Sequence, residues 1–376
     1  MHIWETVRSF KAHGHQVRVH SPVGAPIDPR DWVETKKNSR SGRAGVLRWI
    51  SRYLPELFFE LVELAYNVFA FQGLLRDFAR FDHPVVYERY AFFGVAGALF
   101  ARRRKCRWFL EVNYTSQCMM VRKRSPILKP LSVAIERRLF RSADGIVAVS
   151  SYLKNQLVHD YGVESDKILV LPNAADPKTF SPDVLPPVSI GNWKLADYKI
   201  LGYVGGFNPW HDLDMLVRAF SAVITEFPEA RLLLVGDGPK RPQVERLAKE
   251  LGLSDTVMFA GQVAHDALPS YVSAFYLGIL PNSNEYGSPM KIFEYMAMGK
   301  PVVAPDYAPL MEVIEDGRQG RIFQKKNLIS LANSLRQMLV NGAEHERMSR
   351  CSREAVTEIH NWDRNAIRAL QLMESR

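Results

Sequence analysis

Lys291 and Glu294 stand three residues apart, just after the run Gly287-Ser288-Pro289. At that spacing an ammonium and a carboxylate share one helix face and can grip one ligand together. Proline is tolerated where a helix begins, so the pair is expected in the first turns, beside unpaired backbone amides that suit phosphate oxygens. A carboxylate one turn further in suits the diol of a sugar. These residue types outline a grip for a nucleotide sugar. The plainer alternative is a solvated Lys/Glu pair, which is routine on helices, but the Gly-Ser-Pro lead-in weighs against it.

Other stretches could serve the same ligand. In Gly205-Gly206-Phe207-Asn208-Pro209-Trp210-His211, paired glycines after an apolar run let the backbone approach a diphosphate closely. Gly236-Asp237-Gly238-Pro239 is explained almost fully as a tight turn. Phe259-Ala260-Gly261-Gln262-Val263 could offer main-chain groups to a nucleobase, or be a plain strand end. Asp212-Leu213-Asp214 has the look of a metal-binding DxD, yet it falls at a helix start, where Asp is the expected cap. No metal site is expected. The three cysteines Cys106, Cys118 and Cys351 have no metal-like spacing and read as reduced thiols of a cytosolic protein.

These groups need elements to hold them, and the chain supplies alternating short apolar runs and helical stretches. The first half reads as helix Thr6 to Ala12, strand Gln16 to His20, strand Pro84 to Tyr87, helix Val95 to Arg103 and strand Trp108 to Val112. Helix Leu131 to Ser142, strand Gly145 to Val149, a helix capped by Ser150 or Ser151, and strand Ile168 to Leu171 follow. The Pro-rich stretch Ser181 to Trp193 reads as an interdomain linker. Further strands are expected at Ile200 to Val204, Arg231 to Gly236, Val257 to Ala260, Leu277 to Leu280 and Pro301 to Ala304. This alternation implies parallel, doubly wound α/β sheets, which place ligands at the carboxyl ends of their strands. The expected domains are 1–187 and 188–360, facing across a cleft, with a helix in 361–376 packing back toward the first.

The 376 residues, 47% of them hydrophobic, suffice for two cored domains. The net charge of +9 is unevenly placed: residues 1–187 hold 28 Lys and Arg against 18 Asp and Glu. Basic runs occur at Arg102-Arg103-Arg104-Lys105 and Arg122-Lys123-Arg124. An anionic partner for this half follows. With no nucleic-acid-binding motif, an anionic membrane surface or lipid-phosphate acceptor fits better than nucleic acid. The apolar stretch Leu54 to Leu75 carries Glu56, Glu60, Glu63 and Asn67, so a core or interface helix is expected rather than a membrane span.

Together these motifs resemble the retaining glycosyltransferases of family 4, which have the GT-B architecture of two Rossmann-like domains. In the second half the resemblance rests on Tyr203-Val204-Gly205, Leu234-Val235-Gly236-Asp237-Gly238, Phe259-Ala260-Gly261 and the run Phe293-Glu294-Tyr295-Met296-Ala297-Met298-Gly299-Lys300-Pro301. In the first half it rests on Gly14-His15-Gln16-Val17, Val86-Tyr87-Glu88-Arg89-Tyr90, Glu111-Val112-Asn113, Ala143-Asp144-Gly145 and Pro172-Asn173-Ala174. The chain begins at what resembles the family's first helix, and the preceding strand and Gly-rich loop are expected to be missing.

The resemblance implies residue roles. Glu294 matches the glutamate that holds the donor ribose. Gly205, Gly206, Phe207, Tyr286, Gly287, Ser288 and Pro289 fall in the donor-binding segments, and Val263 lies where main-chain groups meet the base. Asn113 occupies the end of a first-domain strand where relatives carry a sugar-contacting histidine. The family's first motif glutamate falls on Tyr286, and Glu285 is one position away. The usual diphosphate clamp falls on Gly206 and His211, so Lys291 is its replacement, with His211 adding a charge-assisted hydrogen bond if protonated. The implied activity is metal-independent transfer of a hexose, with retention, from a nucleoside-diphosphate sugar (UDP foremost). No cofactor is implied. The implied acceptor is a glycan or polyprenyl-linked glycan of bacterial polysaccharide assembly, and the implied location the cytoplasm or the inner membrane face. An inactive nucleotide-sugar-binding subunit and a nucleotide-sugar 2-epimerase are the alternative functions.

Overall fold

A computed structural model describes residues 2–20, 56–79, 81, 84–118, 126–191 and 193–376. The basic run Arg122-Lys123-Arg124 lies outside them. The chain divides into two compact units, Met1–Leu171 with Ala366–Arg376, and Pro172–Asn365.

The first unit opens with helix α1 (His2–Ala12) and helix α2 (Glu56–Asp77). Strand and helix then alternate: β1 (Val86–Arg89), α3 (Ala96–Arg104), β2 (Trp108–Val112), α4 (Lys129–Ser142), β3 (Gly145–Ala148), α5 (Ser151–His159) and β4 (Ile168–Val170). The four strands pair in parallel in the order β1-β2-β3-β4. Every residue of β2 and β3 is buried, as expected of parallel strands covered on both faces. Ser150 caps α5 by accepting from the Leu153 amide at 3.3 Å. The expected strand Gln16 to His20 is irregular backbone here: it joins no strand ladder among the described residues.

The second unit begins with the small antiparallel pair β5 (Ser189–Ile190) and β6 (Trp193–Lys194). This corrects the expected linker. Ile190 and Trp193 are buried in the unit's core, and the Trp193 indole donates to the Asp255 carbonyl at 3.1 Å. The segment is polar and Pro-rich only between the few side chains that anchor it. Then follow β7 (Lys199–Val204), α6 (Leu213–Ser221), β8 (Ala230–Val235), α7 (Arg241–Glu250), β9 (Val257–Gly261), α8 (Leu268–Ser273) and β10 (Phe275–Ile279). The unit continues with α9 (Met290–Ala297), β11 (Val302–Pro305), α10 (Ala308–Met311), β12 (Gly320–Phe323), α11 (Leu328–Val340), α12 (Gly342–Glu358) and the start of α13 (Trp362–Glu374).

Its six parallel strands run β12-β11-β10-β7-β8-β9. Residues alternate between the faces with the strand period of two: Leu201, Leu232 and Leu234 enter one core, Ile200, Leu233 and Val235 the other. Winding proceeds outward one way from β7 and the other way from β10. The switch point therefore lies between β7 and β10, where sheets of this kind bind ligands at the strands' carboxyl ends.

The unit boundary falls at Leu171–Pro172, earlier than the expected 187, because residues 172–187 pack with the second unit. Ala175 and Phe180 belong to its core, and Arg353 donates to the Phe180 and Pro177 carbonyls. From Ala366 onward α13 belongs to the first unit: Ala366, Ala369 and Met373 pack with Phe10, Phe109, Val147 and Leu171.

Candidate functional site

Three loops leave the carboxyl ends of β7, β8 and β9 zipped together by backbone hydrogen bonds. Gly205 N–H donates to Val235 at 2.9 Å, Gly236 N–H to Gly261 at 2.8 Å, and Phe207 N–H to Asp237 at 2.9 Å. Such close approach requires glycine. At Gly236, with φ of 138°, a Cβ would stand 1.9 Å from the Gly205 carbonyl oxygen. The expected tight turn at 236–239 is thus also a packing surface for the 205–207 loop.

Helix α9 is brought to the same place by one aromatic. Gly278 of β10 leaves room for the Tyr295 ring, 2.1 Å from where a Cβ would be, and the Tyr295 hydroxyl accepts from the Val204 amide at 2.7 Å. The last residue of β7 is thereby tied to α9 across the switch point. Ser288, just before the helix, accepts from the Asn173 amide at 2.9 Å, and its carbonyl accepts from the Asn173 side chain.

This frame sets Lys291 over Gly205. The ammonium lies 4.2 Å from the centre of the Tyr203 ring, and a Cβ on Gly205 would be 2.4 Å from it. Tyr203 is itself fixed, fully buried with its hydroxyl donating to the Gly206 carbonyl at 2.9 Å. Although the Lys291 side chain is partly exposed along its length, its nitrogen is sealed from solvent and has no hydrogen-bond partner. Burial pulls the ammonium well below the usual lysine range, and the Glu294 carboxylate opposes that shift only in part. Glu294, 7% exposed, is pushed upward by its own burial, with Lys291 pulling the other way. The two interact through space without forming an ion pair.

His211 completes the cluster. Its ring lies edge-on to Tyr203 at 6.0 Å, and its Nδ1 is buried without a partner. Burial first, then the nearby Lys291 charge, lowers its pKa to about 4 despite a hydrogen bond to Gly206. His211 is therefore neutral near neutral pH, so the charge-assisted bond expected of a protonated ring is corrected: the ring offers a neutral donor or acceptor.

Other expected residues have different work. Phe207 is fully buried in the core, its N–H and C=O both engaged, the latter accepting from Lys240 at 3.0 Å; it is scaffold rather than ligand contact. The amides of Tyr286 and Gly287 donate to the Asn284 side chain at 3.1 and 2.6 Å, so an Asx turn occupies the groups expected to meet the donor. Glu285 is exposed and paired with Lys325 at 2.7 Å, outside the buried cluster. Pro289 is the N-cap of α9, and Val263 is half-buried against the core after β9. Asp212 caps α6 by accepting from the Met215 amide at 3.4 Å, as its position implied.

Asn113 lies in the first unit, in a cluster of its own after β2. Its side chain donates to Glu111 at 2.6 Å, and Tyr87 donates to the same buried carboxylate at 3.0 Å. Tyr203 and Tyr295 were not singled out as site residues, since an aromatic position in a strand or helix reads first as core; Asn173 was not, since its contact with Ser288 joins residues 115 apart in the chain.

The arrangement presents a buried lysine nitrogen that rests on the Tyr203 ring and has no hydrogen-bond partner, at a topological switch point. A charge held out of water is costly unless an opposite charge completes it, so the position suits an anion able to approach the Gly205-Gly206 backbone. No group of three or more potential metal-ligating side chains occurs among the described residues.

Comparison with known proteins gives the same direction. A family profile described as Glycosyltransferase Family 4 matches residues 1–179, and one described as Glycosyl transferases group 1 matches residues 198–341. The D-inositol 3-phosphate glycosyltransferase of Nocardioides sp. is 26% identical over 312 residues, covering 77% of this chain and 67% of that protein. A GDP-mannose-dependent alpha-(1-6)-phosphatidylinositol monomannoside mannosyltransferase of Mycobacterium tuberculosis is 24% identical over 241 residues, 62% of each chain. The chain thus spans about two thirds of the length of these relatives, and somewhat less of the second. Among solved structures, Anabaena HepE in complex with UDP matches with a TM-score of 0.70 at 17% identity, over 82% of both chains. Sucrose-phosphate synthase of Thermosynechococcus elongatus matches with a TM-score of 0.67 at 22% identity, over 83% of this chain and 78% of that one. At such identities the likeness is one of fold, the GT-B architecture of two Rossmann-like α/β units.

Proposed function

The chain belongs to the family-4 glycosyltransferases, and from that premise we propose that it moves a hexose from a nucleoside-diphosphate sugar to a hydroxyl of a glycan or lipid-linked glycan, with retained anomeric configuration and without a metal ion. The observation that carries this reading is the sealed, unpartnered Lys291 ammonium over Gly205. Departure of the nucleoside diphosphate builds negative charge on the leaving phosphate. A fixed cation in a low-dielectric setting stabilises that charge more than it stabilises the neutral sugar side of the donor. Glu294, one turn along α9, accepts hydrogen bonds from ribose hydroxyls. Neutral His211 can donate one further hydrogen bond. In the family the leaving phosphate is thought to take the acceptor proton, so no protein base is assigned.

UDP is the first donor nucleotide to try, because HepE is described with UDP and UDP-glucose; GDP is the second, since the mannosyltransferase relative is GDP-mannose-dependent. The basic first unit supports reading the acceptor as one that carries lipid phosphate, and with it a location at the inner face of the cell membrane in glycoconjugate assembly. The test is titration with UDP and GDP, followed by nucleotide release from the matching sugar donors with and without polyprenyl-phosphate-linked glycan. Acceptor-dependent release that is lost in Lys291→Ala supports transfer. Nucleotide binding with no release under any donor makes the chain a binding subunit, and epimerised free sugar nucleotide makes it an epimerase.

A further inference from the structure

Helix α2 is polarised the wrong way round for a helix on a water-facing surface. Over its 22 residues only Glu60 and Ala70 are fully buried. Glu60, Asn67 and Asp77 face the unit, whereas Gln72 and Arg76 are exposed on the outer arc. Glu60 accepts from the Ile127 and Leu128 amides, each at 2.7 Å, where α4 begins. Asn67 accepts from the Val95 and Ala96 amides at 2.7 and 3.1 Å and donates to the Phe93 carbonyl at 2.8 Å, where α3 begins. Asp77 holds His20 at 2.9 Å. The large apolar side chains facing out are Leu57, Phe58, Leu61, Val62, Val68 and Phe69, between 39% and 69% exposed. At 100° per residue they fall within about 140° of arc. Of the two expected readings, a core or an interface helix, the burial removes the first: the carboxylates and the amide side chain took the inward positions because they cap two neighbouring helices, leaving the apolar stripe outside.

We propose that this stripe is a membrane-surface anchor, lying in the interface of an anionic bilayer with α2 parallel to its plane. The occupant is indicated by charge. Arg76 is exposed on the same arc, at the C-terminal end of the stripe. Helix α3 starts at Asn67 and ends beside Phe81, whose carbonyl accepts from Arg104 at 2.7 Å. Its exposed Arg102, Arg103, Arg104 and Lys105 are therefore delivered to that same end. In the sequence, the chain leading toward α2 carries six Lys and Arg and no Asp or Glu between Lys36 and Arg52. An apolar helical face edged with cations matches acyl chains below anionic headgroups. A membrane-crossing orientation would require Glu60, Asn67 and Asp77 to abandon the partners that fold the unit around them, so the helix lies on the membrane and does not span it.

The test is flotation of the full chain with phosphatidylglycerol/phosphatidylcholine vesicles, compared with phosphatidylcholine alone. The wild-type protein binds the anionic vesicles; high salt weakens this binding but leaves a residue of it, since the apolar part is not screened. Phe69→Gln lowers the partition coefficient about tenfold, with an unchanged unfolding temperature in the absence of lipid. Equal partitioning of wild type and Phe69→Gln, or a folded wild type that ignores anionic vesicles, overturns the proposal. So does dimerisation without lipid that Phe69→Gln abolishes, which assigns the stripe to a second copy. Wild-type protein that resists alkaline carbonate extraction from membranes overturns it in favour of a span. None of these readouts involves the Lys291 site, so either proposal can fail alone.

Discussion

At Lys291 the ligand-free protein holds an amine nitrogen out of water against the Tyr203 ring with no hydrogen-bond partner, and this makes proton linkage a direct readout. A lysine whose pKa is lowered by burial is partly deprotonated near and above neutral pH; a diphosphate beside it favours the charged form and raises that pKa. UDP binding should therefore take up protons between neutral and mildly alkaline pH, and affinity should fall as pH rises through that range. Calorimetric titration in buffers of different ionisation enthalpy measures the uptake; heats independent of the buffer would remove Lys291 from the diphosphate. Glu294→Gln should weaken UDP by about 1.5–3 kcal/mol if the carboxylate holds the ribose, and dUDP, lacking the 2′-hydroxyl, should show a smaller loss. The placement of Lys291 and Glu294 together in the first turns of α9 was legible because it depends on spacing within one helix. The Asx turn at Asn284 and the Glu285–Lys325 pair were not, because they depend on how the loop closes. Tyr203 and Tyr295 were hidden for a related reason: their value lies in meeting residues far away in the chain.

At the scale of elements, the site exists because loops after β7, β8 and β9 touch and because α9 is tied to β7. Gly236→Ala forces a Cβ to within 1.9 Å of a neighbouring carbonyl at a φ of 138°; it should cost about 3 kcal/mol or more in urea unfolding and abolish UDP binding. Gly252→Ala also sits at positive φ, 71°, but meets nothing within 4 Å. It should cost only about 1 kcal/mol and leave binding intact, which separates backbone strain from loop contact. The strands from β7 to β11 were legible as short apolar runs between helices. Strand β12 was missed, since Gly-Arg-Ile-Phe is too short and too polar to stand out. Segment Gln16 to His20 was over-read because alternation alone cannot supply a neighbouring strand. The helix in Leu54 to Leu75 was expected, but which face it turns outward depends on the caps it gives to α3 and α4, and those partners are remote in sequence.

For the molecule as a whole, the two units should respond separately. Deleting Ala366–Arg376 strips Ala366, Ala369 and Met373 from the first unit's core and removes the Arg376–Asp166 ion pair. Scanning calorimetry should then show the first unit's transition lowered, while UDP at about a hundred times its Kd still raises the second unit's stability by about 2.7 kcal/mol. Loss of the UDP response on this deletion would mean that the second unit does not bind alone. The C-terminal helix was expected to pack back, but the boundary at Leu171–Pro172 was not legible, because residues 172–187 look like a linker until Ala175 and Phe180 are seen in the core.

The central claim is that the buried ammonium of Lys291 waits for a diphosphate, and Lys291→Met tests it most directly. Methionine keeps the length and removes the charge. The account predicts a ligand-free protein more stable by about 1–2 kcal/mol, since a buried unpaired cation is gone, and UDP affinity at least about tenfold weaker for want of a charged hydrogen bond. A variant that binds UDP as tightly as the wild type would contradict it.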